Sequence, residues 1–459
     1  MIFNIIIAIL ILSAVIIVHE FGHFIIAKAN GVCVVEFSVG FGPRIFGFRI
    51  GDTDYCLKAL PFGGSCRMLG QDEYLSDTAS DSYEDDDGEG YALSDFEKRN
   101  KEMLAKYGES RTLEKKSVSA RIAVLAAGPV FNFLFAIILS IILTGVGGYD
   151  PCVVNEVEDG SPGYEAGLRD GDEITALNGN PIFFTREYGF YRNYHEADTM
   201  HISYKRDGAV YNTTVVPKEI TDTSYKIGIR FDQSLRVSEI VQDSPASESG
   251  LREQDKIIAI NGESIDSMEK LTELIDASEG NTLKIRVLRA AGEREFDITP
   301  QMMETSYFYT GMTLYGNRVQ ASPIATIGYA FCDVGYRISS VVEVLTMMVT
   351  GRMGVNNLSG PVGTVSAISS VVEESKEDGG FYLFLNILNI AIMLSANLGV
   401  MNLLPVPALD GGKLIVYIIE AIRGRPAPGK VETVINFIGV IFLLVLMAFV
   451  LIKDIVYLF

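Results

Sequence analysis

The residues best placed to do chemistry lie close to the start of the chain, in Val18-His19-Glu20-Phe21-Gly22-His23. The pattern is H-E-x-x-H. Residues four apart share one face of a helix, so His19 and His23 can reach a single ion. Two neutral imidazoles suit zinc. Glu20, beside the first ligand, can take a proton from a zinc-held water. A third ligand is offered far downstream by Asp410, within Asn402-Leu403-Leu404-Pro405-Val406-Pro407-Ala408-Leu409-Asp410-Gly411-Gly412. Three ligands leave the fourth position that catalytic zinc needs for water. Asn397 and Asn402 are placed to bind substrate backbone or a developing oxyanion. The blander readings are a stray histidine pair at a helix end and a helix-capping aspartate.

The segment carrying the motif is almost wholly apolar from Ile2 to Val18, broken by Asn4 and Ser13, and the run ends at Lys28. It is long enough to cross a bilayer. No basic residue precedes it and no small-x-small site follows, which argues against a cleaved signal peptide. Polar residues inside a span are costly and usually functional. A second span is predicted over 120–148. It contains Ala126-Ala127-Gly128-Pro129-Val130-Phe131-Asn132, whose small residues permit close packing and whose Asn132 should face protein. A third span over 380–412 is broken at Pro405 and Pro407, and a fourth occupies 433–459. Irregular backbone at that depth is tolerated where it lines protein or a cavity.

Between the first two spans, residues 29–70 read as glycine-punctuated β-hairpins, too short for helical spans. They suggest a sheet dipping into the membrane. Its edge around Phe62, Gly63 and Gly64 could pair with an unwound peptide by β-addition; a small β-loop packed on the membrane face is the alternative. Residues 71–119 form an acidic, then mixed-charge cytoplasmic insertion, expected to be solvated. Residues 413–432 form a second cytoplasmic loop.

The 459 residues have a mean hydropathy of +0.24 and a net charge of −20, which excludes a nucleic-acid partner. Five cysteines without C-x-x-C spacing are neither a disulfide framework nor a zinc ribbon.

The stretch after the second span is repeated. Ser161-Pro162 through Gly167-Leu168 returns as Ser244-Pro245 through Gly250-Leu251, and Asn178-Gly179 returns as Asn261-Gly262, each pair 83 positions apart. Two tandem α+β domains of one fold follow, over 149–233 and 234–316. The S-P-x-x-x-x-G-L and D-x-I-x-x-[IL]-N-G pattern resembles PDZ domains, which bind peptide ends or edges. Strands at Gly228 and Gly311 are expected to close each repeat, as in the circularly permuted form, and these glycines are the candidate peptide-binding positions. Alternatively the repeats act as spacers or a size filter.

Residues 317–379 hold an apolar stretch, Ile324 to Val349, interrupted by Asp333, Arg337 and Glu343. It reads as an interfacial amphipathic helix followed by a loop. Lys28, Arg44, Arg49, Lys115, Lys116 and Arg121 lie between spans one and two, and Lys413, Arg423, Arg425 and Lys430 between spans three and four. Both loops are therefore expected in the cytoplasm and the repeats outside. His19, His23 and Asp410 then meet at the cytoplasmic end.

Taken together, H-E-F-G-H, G-F-G, A-A-G-P-x-x-N, the paired repeats, N-N-L-S-G-P-V-G and S-A-N-L-G-x-x-N-L-L-P-x-P-x-L-D-G-G resemble the site-2 protease family of intramembrane zinc metalloproteases. The likeness is strongest to the bacterial regulator-of-sigma-E branch. Lys413 departs from the His that many members carry after D-G-G, and the acidic insertion is not a family feature. The resemblance implies a multipass protein of the bacterial plasma membrane with a Zn2+ cofactor. Its four transmembrane helices would be joined by a re-entrant β sheet, with two PDZ domains outside the membrane. It further implies cleavage of single-span membrane substrates, such as anti-sigma factors or remnant signal peptides, after a site-1 protease has trimmed them. The rival readings are an inactive membrane scaffold and a metal transporter. The first would lack a ligand or the base. The second leaves Glu20 and the repeats unexplained.

Overall fold

The computed structural model describes residues 2–70, 95–231, 235–289, 292–354, 360–377, 379–425 and 429–458. The acidic run from Asp72 to Glu89 and the stretch from Val355 to Ser359 lie outside them. The chain divides into two compact units, 1–149 with 319–451 and 150–318 with 452–459.

Helix α1 (Ile2–Ala29) carries the H-E-x-x-H motif in its last third. Strands β1 (Val34–Ile50) and β2 (Thr53–Met68) then fold back on each other. Residues 36–39 pair with 64–67 on one side and 54–57 on the other, while 46–50 pair with 53–57. Left-handed Gly40, Gly42 and Gly63 let the strands change direction. The tips expose Phe41, Ile45, Phe46, Phe48, Leu60 and Phe62. An apolar surface of that size belongs against lipid or a partner.

Helix α2 (Asp95–Tyr107) lies in the stretch expected to be solvated. Its charges hide an apolar face: Phe96 and Met103 are buried against Cys33, Val35 and Leu69 at the root of the sheet. The β1–β2 turn is clamped to the same region. Tyr107 donates to Asp52 Oδ1 at 2.7 Å and Arg111 to Oδ2 at 2.9 Å. The Tyr107 hydroxyl, helped by Arg111, holds the Asp52 carboxyl below its ordinary value.

Helix α3 (Val118–Gly147) runs antiparallel to α1, placing His23 beside Val124 and His19 beside Asn132. The approach is close because Gly22 has no side chain; a Cβ there would sit 2.5 Å from the Ala127 carbonyl oxygen.

The second unit holds the two repeats. The first comprises β3 (Glu156–Val157), α4 (Pro162–Glu165), β4 (Glu173–Leu177), β5 (Asn180–Pro181), α5 (Thr185–Tyr194), β6 (Met200–Arg206), β7 (Ala209–Val215) and β8 (Lys218–Lys226). After β9 (Ile229–Phe231), the second follows in the same order. It has β10 (Val237–Ile240), α6 (Pro245–Ser249), β11 (Lys256–Ile260), β12 (Glu263–Ser264), α7 (Met268–Asp276), β13 (Leu283–Arg289), β14 (Gly292–Ile298) and β15 (Gln301–Tyr309), then β16 (Met312–Thr313). Their four-stranded sheets have matching orders, β5-β4-β6-β7 and β12-β11-β13-β14. Buried Asp172 and Asp255 each hold the equivalent arginine, Arg206 and Arg289, at 2.7 Å.

Strand pairing crosses the expected boundary at 233/234. β9, after the first repeat, pairs with β10 of the second, and its Ile229 and Phe231 pack on the second core. β16, after the second repeat, pairs with β3, and Met312 and Leu314 pack on the first core. Each repeat is thus closed by the strand following the other, and β8 pairs with β15 along their whole length.

The first unit resumes with α8 (Pro323–Val349) and α9 (Pro361–Glu377). α8 is the segment expected to lie at the membrane surface. α8 buries its charges: Arg337 Nε donates to Asp333 Oδ1 at 2.9 Å, Ser140 donates to Asp333 Oδ2 at 2.6 Å, and Arg337 Nη2 donates to Asn389 at 2.6 Å. Ile324, Ile327, Phe331 and Val342 point outward instead. A helix lying at a water interface would do the reverse. Pairing and full hydrogen bonding offset the cost of burying the two ions. α8 begins beside the end of α3, where Tyr149 stacks on Tyr329, and α9 ends beside the start of α1, where Glu373 and Lys376 bond Asn4. Those two ends coincide in an antiparallel pair. The α8–α9 segment therefore enters and leaves at one end of the bundle.

Helix α10 (Gly380–Leu403) follows, then α11 (Asp410–Arg423), whose residues from 413 onward lie in the stretch expected as a loop, and α12 (Gly429–Leu458). Among the described residues, four helical segments are long and apolar enough to cross a membrane: Phe3–Ala29, Val118–Gly147, Gly380–Leu403 and Phe437–Asp454. They overlap the four expected spans, the third ending at Leu403 instead of 412.

Candidate metal centre

His19 and His23 are one helical turn apart on α1, and α3 lies along them. His23 Nδ1 donates to the Val124 carbonyl at 2.8 Å, so its Nε2 keeps a lone pair. His19 Nδ1 lies 3.2 Å from the Asn132 side-chain nitrogen, and Asn132 Oδ1 is buried without a partner. Amide oxygen and nitrogen are assigned from the hydrogen-bond network. Turning this amide lets Oδ1 accept from His19 Nδ1–H and frees His19 Nε2 as well. Ser395 on α10 bonds the Asn132 carbonyl at 2.8 Å, fixing that residue from the other side.

The third group arrives from the break after α10. Ala408 takes a left-handed φ of 74°, and Asp410 opens α11. The two glycines after it are required by space: a Cβ on Gly411 would sit 2.5 Å from Leu403 backbone, and one on Gly412 would overlap the Val406 carbonyl. α11 is tied to α3 by Arg121, which reaches both Glu420 oxygens at 2.5 and 2.9 Å and lies 4.5 Å from the Tyr417 ring centre.

These constraints bring three ligand atoms together. Asp410 Oδ2 is 3.1 Å from each Nε2, and the two Nε2 atoms are 3.2 Å apart. Both histidines are 7% exposed. Donors about 2.0–2.2 Å from a tetrahedral zinc stand roughly 3.3 Å apart, so the donor set fits zinc in type and spacing. Among the described residues it is the one cluster of three or more such groups that could hold a metal.

Glu20 points toward the sheet, where its Oε2 accepts from the Cys66 backbone N–H at 2.8 Å. Gly64, of the expected edge, lies beside it: a Cβ there would be 3.8 Å from Glu20 Cγ. A Cβ on Gly63 would overlap the Phe41 ring, and Phe62 is exposed. Asn397 and Asn402 sit half-buried on α10, and neither is hydrogen-bonded to the three ligands. Gly228 and Gly311 adopt φ of 82° and 68°, and a side chain on either would collide with Ser244 or Ser161. Backbone and space therefore account for both glycines.

Sequence reasoning missed Val124, Gly128 and the role of Asn132. A Cβ on Gly128 would lie 2.6 Å from His19 Cε1 and overlap His23 Nε2. Gly128→Ala is expected to push the imidazoles apart and weaken zinc binding at least about tenfold, the low end for disturbing groups that orient a ligand. Metal analysis after dialysis checks this; wild-type zinc retention would contradict it.

Peptidase family M50 matches residues 7–446. The zinc metalloprotease RasP of Bacillus licheniformis is 28% identical, over 98% of each chain. RasP of Geobacillus kaustophilus is also 28% identical, over 97% of this chain and 96% of that protein. A putative zinc metalloprotease of Vibrio cholerae is 28% identical over 98% of each. Among solved structures, the HtrA3 PDZ domain bound to a phage-derived ligand covers 18% of this chain and 92% of its own, at 24% identity and a TM-score of 0.16.

Proposed function

Because the chain belongs to peptidase family M50, we propose that it is a zinc metalloendopeptidase that hydrolyses peptide bonds within the transmembrane segments of single-span membrane proteins. One observation carries the reading. Two imidazoles and a carboxylate converge on one point among apolar helices, with a second carboxylate, Glu20, outside that cluster on the same helix as the imidazoles.

Zinc held by His19, His23 and Asp410 would supply Lewis acidity, polarising a carbonyl and acidifying a water. The chain's own residues do the rest. Glu20 takes the proton from the attacking water and passes it to the leaving amine nitrogen. Asn402 donates to the oxyanion, and Asn397 holds substrate backbone. A helical substrate must first unwind, because its amides are shielded by their own hydrogen bonds. The sheet edge at Phe62, Gly63 and Gly64 receives the extended segment by strand addition.

The flanking basic residues support a cytoplasmic location for the site and an extracytoplasmic one for the repeats, in a bacterial plasma membrane. The repeated pattern supports PDZ-like modules that screen substrates, by binding peptide at the Gly228 and Gly311 strands or by size. Such screening fits substrates already shortened by a site-1 protease, including anti-sigma factors and remnant signal peptides.

The test is cleavage of a model single-span protein in proteoliposomes, with product termini read by mass spectrometry. The expected cut falls inside the apolar segment and stops on chelation. A cut confined to soluble flanks would overturn the reading.

A further inference from the structure

We propose that the backbone N–H of Cys66 is a positioning group for the reaction: it fixes the Glu20 carboxylate at the point where the substrate-receiving strand edge ends. The inference rests on the endopeptidase reading above.

Glu20 belongs to α1 and Cys66 to β2, yet the Cys66 N–H donates to Glu20 Oε2 at 2.8 Å. Cys66 lies opposite Phe37 in the sheet, and its N–H, donated to Glu20, is turned away from that partner. It therefore points out of the edge. Among the described residues, 64–67 pair only with 36–39, so this edge has no strand beyond it. Backbone groups along a strand alternate sides with a period of two. The N–H and C=O of Gly64 consequently face the same way as those of Cys66. A strand added at Gly64 meets the Glu20 carboxylate at the next pairing position. Glu20 thus closes the ladder and sets how far the added strand can run.

The consequence for the chemistry is direct. Only one carboxylate oxygen is committed to Cys66, and the other remains for the attacking water. The element that aligns the scissile peptide also holds the base, so the two are in register before any substrate arrives. The sheet is kept against α1 by aromatics packed at tilted and edge-on angles: Phe24 lies 5.2 Å from Phe37 and 5.9 Å from Tyr55 between ring centres. The Cys66 side chain packs against the apolar cluster that includes Ala27 and Val32 and takes no part. Its place among the five cysteines is incidental, and the amide is what matters.

The test compares Cys66→Ala with the same protein carrying an ester at position 66, made by incorporating lactic acid in place of alanine. The two differ by one N–H. Full-length protein in detergent is assayed on a model single-span substrate, with zinc content and thermal stability measured in parallel. The expected result is a fall in kcat of about tenfold or more, with KM, zinc stoichiometry and melting temperature unchanged. Cys66→Pro serves as a second variant, since an edge strand tolerates proline where its N–H faces outward, and the same split is expected. Unchanged kcat in the ester protein overturns the proposal. So does a fall in kcat accompanied by equal losses in KM and stability, because that marks a structural role. Wild-type protein that binds zinc and cleaves nothing would instead count against the endopeptidase reading itself.

Discussion

Glu20→Gln lowers cleavage by about 10²–10⁴-fold, the usual range for a general base, and leaves zinc at wild-type stoichiometry. The substitution is nearly isosteric. A glutamine oxygen still accepts from the Cys66 N–H, so the side chain keeps its place beside Gly64. What it cannot do is take a proton from water. Glu20 is absent from the ligand cluster, in which His19, His23 and Asp410 fill three positions. The informative readout is therefore the pairing of activity with metal content. Loss of both together would make Glu20 a ligand and remove the base from the account.

Asp410→Ala is expected to cost zinc and activity in parallel. Losing a group that merely orients a ligand typically costs 10–100-fold in metal affinity, so losing a direct ligand should cost at least about a hundredfold. Asn402→Ala makes the contrast. It removes one proposed oxyanion donor, worth about 10²–10³ in kcat, and should leave zinc bound. The Asp410 variant also tests the architecture, because His23 and Asp410 are 387 positions apart and meet only through the break after α10. Isothermal titration with zinc, run beside the cleavage assay, checks both. Full zinc affinity in Asp410→Ala would sink the ligand assignment.

The parts of the site that are periodic were readable from residue types. His19 and His23 are i and i+4 on a long apolar helix, and Asp410 follows two prolines and precedes two glycines. What escaped reading was set by partners distant in sequence. The Val124 group that accepts from His23 is a backbone carbonyl and has no residue type to recognise. Gly128 reads as a generic packing glycine until the imidazoles are seen against it. In α8, Asp333 and Arg337 read from sequence as charges needing water. They are one turn apart, bond each other, and find Ser140 and Asn389 on α3 and α10. The strand exchange was invisible for a different reason. The repeats carry the same local pattern, so nothing near Gly228 or Gly311 says which repeat each strand will close. α2 was hidden by its lysines and glutamates, although Phe96 and Met103 fall seven apart on one face.

The central claim is that His19, His23 and Asp410 hold a catalytic zinc. It is tested most directly by zinc-edge X-ray absorption on the purified Glu20→Gln protein, in which metal is retained and turnover is stopped. The account predicts one zinc per chain with only nitrogen and oxygen neighbours at about 2.0–2.2 Å, two of them imidazoles. A sulfur neighbour at about 2.3 Å, or a chain that folds and cleaves without zinc, would contradict it.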